Sequence, residues 1–182
     1  VTFANATATD NCTASPTITN LGAASGSFFS VGTTSVIFRA TDAANNSATC
    51  SFTVTVNDTQ VPSITCPANI SQATDQCGEN VVFSSATATD NCTASPTIQN
   101  LGASSGSFFA AGSTSVTFRA TDAANNSATC SFTVTVNETQ APTITCPANI
   151  TQGSSTGQCG ANVAFNNATA TDDCSTSPTI LN

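Results

Sequence analysis

Lysine, histidine, tryptophan, tyrosine and methionine are all missing from this 182-residue sequence, and its only cationic side chains are Arg39 and Arg119. Each absence removes a class of function. Affinity for nucleic acid and for anionic membranes comes mainly from clustered Lys and Arg, and a chain of net charge −8 has no such cluster. Neither nucleic acid nor membrane insertion of this segment is expected. With no His and no Cys-x-x-Cys pair, a zinc site has nothing to complete it. Acid-base and nucleophilic catalysis lack their usual groups, and no phosphate-cradling loop occurs, so the sequence is not that of an enzyme. No apolar run reaches membrane length and no signal peptide is visible, the chain opening in the middle of a repeat.

What is present points to strands. Thr and Ser together make up close to a third of the residues, and the aromatic content is eleven Phe. Thr, Val and Phe favour a pleated, half-buried surface, which predicts an all-β fold. Nine cysteines at regular spacing predict disulfides formed in an oxidising compartment, and hence an extracellular or cell-surface location.

The chain repeats itself. Residues 1–57 align without gaps onto 81–137 and differ at nine positions, and a third copy opens near Thr143 with two extra residues in Gly153–Gly157. Starting each unit at Ile-Thr-Cys-Pro divides the chain into a repeat lacking its first strand (1–60), a complete repeat (61–140) and the N-terminal part of a third (141–182). Within the complete repeat, Val116, Phe118 and Ala120 alternate with polar residues. Cys130, Phe132, Val134 and Val136 do the same, as in strands with one face in a core. Asp122–Asn126 reads as the hairpin loop between them, because Asn tolerates a positive φ. Earlier strands are expected at Ser63–Cys66, Val81–Ser84 and Thr97–Asn100 and around Phe108. Six or seven short strands in about 80 residues predict a sandwich.

The blocks Ile-Thr-Cys-Pro-Ala-Asn-Ile, Thr-Ala-Thr-Asp-Asn-Cys, Gly-Ser-Phe-Phe and Phe-Arg-Ala-Thr-Asp-Ala-Ala-Asn-Asn-Ser-Ala-Thr-Cys-Ser-Phe-Thr-Val-Thr-Val resemble the hyalin repeat, or HYR, module over nearly the whole chain. Asn125 and Asn45 stand where that family usually has Gly. The resemblance implies tandem immunoglobulin-like β-sandwiches in extracellular, often adhesive, proteins, without catalysis. Four cysteines per repeat, here Cys66, Cys77, Cys92 and Cys130, allow three pairings. The immunoglobulin-like layout implied by the resemblance sets Cys66 with Cys130 and leaves Cys77 with Cys92, with Cys159–Cys174 as the counterpart of the latter. The rival is Cys66–Cys92 with Cys77–Cys130. Cys12, Cys50 and Cys146 are expected to find partners outside these 182 residues.

No cofactor is required, and one constellation suggests calcium at a repeat junction. Asp90 and Asn91, Asp122 and Asn125, and Asp58 in the linker carry oxygen ligands of the kind Ca²⁺ takes. Glu138, Asp172 and Asp173 form a weaker second set. The plainer reading is that these residues make Asx-turns. Glycan attachment sequons occur at Asn5, Asn45, Asn57, Asn69, Asn125, Asn137, Asn149 and Asn167. Two more, at Asn11 and Asn91, have Cys as neighbour. Phe28-Phe29 and Phe108-Phe109 are adjacent aromatics, of which one must face outward in a strand. Short, Pro-containing linkers and near-identical units suit a stiff stalk, fibre or filament shaft, with neighbouring repeats, and other copies in a fibre, as partners. The alternative is an adhesin module for carbohydrate or protein, which the lack of Trp and Tyr disfavours.

Overall fold

A computed structural model describes residues 1–175 and 177–181, and no helix occurs among them. Two compact units form. The first comprises Val1–Pro62 with the segments Thr89–Pro96 and Thr121–Asn126, and the second Ser63–Ala88, Thr97–Ala120 and Ser127–Asn182.

In the first unit, β1 (Thr17–Asn20), β2 (Gly32–Thr41) and β3 (Ser47–Val56) make an antiparallel sheet in that order. Alternation sets its inner face: Val36, Phe38 and Val54 are buried and join Phe29 in a small core. Phe3 packs edge-on against Phe29, Phe38 and Phe52, an arrangement favoured by the ring quadrupoles.

The remaining strands are β4 (Ser63–Thr65), β5 (Ile70–Thr74), β6 (Gly78–Asn80), β7 (Thr87–Thr89), β8 (Thr97–Asn100), β9 (Phe108–Ala110), β10 (Gly112–Thr121), β11 (Ser127–Glu138), β12 (Thr143–Thr145) and β13 (Thr169–Thr171). A four-stranded sheet runs β5-β11-β10-β8, with β5 parallel to β11. The pairs β4-β7, β6-β9 and β12-β13 complete the set. The architecture is that of immunoglobulin-like β-sandwich domains carrying disulfides. Val116, Phe118, Phe132, Val134 and Val136 fill the core with Val81, Ala86 and Phe109. Phe83 reproduces the role of Phe3, edge-on to Phe109, Phe118 and Phe132.

Three local differences from the sequence reading have physical causes. Val81–Ser84 is not a strand: Val81 N–H bonds Ser107 O, and the Ser105 hydroxyl both accepts from Phe83 N–H and donates to Phe83 O. Strand β5 escaped because Ile70-Ser-Gln-Ala-Thr74 shows no alternation, and its place comes from pairing with β11. The third difference is covalent. Cys66 is joined to Cys130, with Cα atoms 5.7 Å apart, but Cys77 is joined to Cys174, with Cα atoms 4.9 Å apart. The pairings Cys77–Cys92 and Cys159–Cys174 expected from the resemblance are therefore corrected, and Cys92 and Cys159 are free thiols here.

Each of the two cysteines is held by its own surroundings. Thr74 is in register with Glu138 at the C-terminal end of β11, and Cys77 lies in the turn that follows. The loop bearing Cys92 is tied instead to the hairpin that opens β11, through Ala123 N–H to Thr93 Oγ1 at 3.0 Å.

Asn45 and Asn125 adopt φ of 69° and 70°, the left-handed conformation expected at this hairpin. A β-branched residue there meets its own carbonyl, whereas glycine does not. We expect Asn125→Val to lower stability by about 1–2 kcal/mol and Asn125→Gly to stay within about 0.5 kcal/mol of the parent, as measured by urea unfolding.

Candidate functional site

The residues that invite a functional reading gather in the first unit, where Asn57–Pro62 meets the loops 89–96 and 121–126. Each loop is built by an aspartate. Asp90 Oδ2 accepts the backbone N–H groups of Cys92 and Thr93, both at 2.8 Å, an Asx-turn that aims the cysteine outward. The same turn recurs at Asp10, whose Oδ1 takes Cys12 and Thr13 N–H, and at Asp172, whose Oδ1 takes Cys174 and Ser175 N–H. Donation from Cys12 and then Thr13 holds the Asp10 carboxyl below the usual carboxylate range.

Asp122 is the one buried charged side chain among the described residues, with 6% of its surface exposed. Both its oxygens are engaged. Oδ1 accepts Asn126 N–H at 2.7 Å and Oδ2 accepts Asn126 Nδ2 at 2.8 Å. Asn126 Nδ2 also donates to Asp58 O at 3.2 Å, which ties the hairpin to the linker. Asp42 and Asn46 repeat the side-chain cap in the first repeat.

Of the five residues expected to hold a cation, the structure brings two together. Ligand atoms of Asp58, Asp90 and Cys92 lie within 4.8 Å of one another. Asp58 Oδ2 and Asp90 Oδ1 are buried and have no hydrogen-bond partner. Asp122 is occupied in capping its hairpin, Asn91 is exposed, and Asn125 serves the turn through its backbone. In the weaker set, Asp172 makes its turn and Glu138 accepts Gln140 N–H on its own strand end, while Asp173 stands beside the Cys77–Cys174 bridge. Sequence reasoning missed Asn126 and Thr93, which knit the loops together. Their recurrence as Asn46 and Thr13, with the bond from Ala43 N–H to Thr13 Oγ1, is the signal that could have found them.

Cys92 is the odd member of this group. Partial removal from water, followed by the negative charges of Asp58, Asp90 and Asp122, pushes its thiol pKa up. A raised pKa means less thiolate at any pH below it, so this cysteine is a poor nucleophile.

All eight sequon asparagines expected to carry glycans are exposed: Asn5, Asn45, Asn57, Asn69, Asn125, Asn137, Asn149 and Asn167. Asn69 Oδ1 accepts Thr133 N–H at 2.8 Å and Asn137 Nδ2 donates to Ser71 Oγ at 3.0 Å, so these two also help to hold β11. In each aromatic pair one ring is inside: Phe29 and Phe109 are buried, whereas Phe28 and Phe108 are 90% and 63% exposed. Arg119 donates to Gln99 Oε1 at 2.6 Å.

Disulfide-stapled, immunoglobulin-like sandwiches in tandem, with aspartate-built loops at their ends, define a class of repeat module. The HYR domain family model matches residues 1–56, 57–136 and 137–181, and the chain belongs to that family. Hyalin of Strongylocentrotus purpuratus is 37% identical over 155 residues, covering 81% of this chain and 13% of that protein. Hyalin of Lytechinus variegatus is 36% identical over 185 residues, covering 97% of this chain and 34% of that protein. The chain thus spans about a third or less of the curated relatives it matches.

The Cys92 environment makes a kinetic prediction. At pH 8, iodoacetamide should alkylate Cys92 several-fold more slowly in the folded chain than in guanidinium, with the gap closing as pH rises past the folded pKa. Equal rates across the pH range would contradict the assigned charge environment.

Proposed function

We propose that the chain is part of an extracellular structural array in which HYR sandwiches follow one another as a stiff stalk, fibre or filament shaft, and that it has no catalytic role. The observation that carries this reading is the knitting of the linker Asn57–Pro62 into a folded unit. Asn126 bonds the Asp58 carbonyl, Asp58 Oδ1 accepts Gln60 N–H at 3.1 Å, and Pro62 is fully buried. A linker with its backbone bonded and its proline packed is not a flexible tether. Near-identity of the repeats supports the same junction being made again along the array. Neighbouring repeats of the same chain are the first partners, and other copies could be joined laterally in a fibre. The exposed sequon asparagines favour glycans on its surface.

Electron microscopy of the native, longer protein tests this reading. Straight segments with one recurring angle between successive sandwiches are expected. Beads at random angles would contradict the shaft and leave an adhesive module on a flexible tether.

A second reading concerns the acidic pair. Two buried carboxylate oxygens without hydrogen bonds, on Asp58 and Asp90, favour a hard cation such as Ca²⁺, which would offset their desolvation and mutual repulsion. Binding would fasten the linker to the loop 89–96. At a hundred times its dissociation constant the ion would add about 2.7 kcal/mol to stability. Calorimetry should give heat on adding Ca²⁺ and a raised Tm, both lost in the Asp58→Asn, Asp90→Asn double variant. No heat and an unchanged Tm in the parent chain would contradict it.

A further inference from the structure

The bond from Cys77 to Cys174 joins the second cysteine of one repeat to the third cysteine of the next. Cys92 is the third cysteine of its own repeat and is presented in the same way as Cys174. Each follows an aspartate by two residues, and that carboxylate accepts the backbone N–H of the cysteine and of the residue after it.

The donor half of the bond is also built locally. Cys77 opens the segment Cys-Gly-Glu-Asn, which continues as β6 along β9, and Ala111 N–H donates to Cys77 O at 2.8 Å. Gly78 is obligatory in this seat, since a Cβ would collide with the Phe109 carbonyl and the Phe108 ring. The third repeat carries the same pattern as Cys159-Gly160-Ala161-Asn162.

Phe28–Val31 of the first unit are the counterparts of Phe108–Ala111, the edge on which this segment lies. A groove runs beside them, lined by Phe28, Phe29, Val31 and Val56, and reaches Asn91 and Cys92. Phe28 is 90% exposed, against 63% for Phe108, whose ring touches Gly78. The receiving edge and the receiving thiol therefore lie side by side within one unit.

We infer that Cys92 is one half of an inter-repeat disulfide whose other half is the cysteine of a Cys-Gly-x-Asn segment, lying along Phe28–Val31, in the preceding repeat of the same polypeptide. One rule then covers all nine cysteines. The first pairs with the fourth inside a repeat, as Cys66 with Cys130, and the second pairs with the third of the next repeat, as Cys77 with Cys174. Under this rule Cys12, Cys50, Cys92, Cys146 and Cys159, the five free thiols, all take partners from outside the 182 residues. The array becomes a covalent ladder in which each junction is bridged once, beside the peptide linker. Formation is a thiol–disulfide exchange: two thiols give up two electrons and two protons to a disulfide oxidant, which leaves as two thiols. The inference stands on the cysteine geometry and not on the stiffness of the array.

Non-reducing digestion of the native protein before aspartate tests it, because such cleavage places Cys77 (75–89), Cys92 (90–121) and Cys174 (on the fragment that starts at 173) on separate fragments. The expected products are the Cys77 fragment linked to the Cys174 fragment, and the Cys92 fragment linked to one containing Cys-Gly-x-Asn from the repeat before. A Cys77–Cys92 link, or Cys92 recovered as a free thiol, overturns the rule. On the 182-residue chain, the synthetic peptide Cys-Gly-Glu-Asn in a glutathione redox buffer should be captured several-fold more by Cys92 than by Cys50 or Cys146. Equal capture at those thiols would overturn the docking of the segment beside Cys92.

Discussion

Strand β11 is the constraint on which the complete repeat depends. It pairs with β10 on one side and β5 on the other, and it buries Phe132, Val134 and Val136 in the core. Through Cys130 it is bonded to Cys66, just beyond the short strand β4. A sandwich of about 80 residues buries only a modest share of its apolar surface, so this staple matters. Closing a separation of 64 residues contributes about 4 kcal/mol through the unfolded state. With β11 fixed, the hairpin at its start presents Asp122 and Asn126, and its end delivers the chain to the next repeat.

The ends of β11 carry the residues on which the proposed function rests. Aspartates at the loop tips use their carboxylates to order backbone, so the loops reach outward without disorder. The loop sequences recur from repeat to repeat, so the proposed junction would be the same at each. The carboxylates of Asp58 and Asp90, the thiol of Cys92 and the open edge at Phe28 are packed into a small region of one unit. A cation and a disulfide are compatible there, one acting on oxygen and the other on sulfur. Both would act between one repeat and the next.

Much of this was legible in the sequence. Period-two alternation located β10 and β11, and the need for a positive φ located Asn125. Those features are local, and one residue type serves each. The second-cysteine pairing was not legible, because it depends on a partner 97 residues away. Periodicity says nothing about that. The acidic set was half legible. Composition marked Asp58, Asp90 and Asp122 alike, but only the fold shows that Asn126 occupies Asp122 while one oxygen each of Asp58 and Asp90 is left without a partner. Strand β5 was invisible for a related reason, since an edge strand defined by its neighbour needs no pattern of its own.

The central role of β11 is most directly tested by native-state hydrogen exchange. Amides of Phe132, Val134 and Val136 should exchange last, at the rate of global unfolding, and should lose most protection when Cys66–Cys130 is removed as the double Ser variant. If those amides exchange as readily as the edge strand β8, or keep their protection without the bond, β11 is not the element that holds the repeat together.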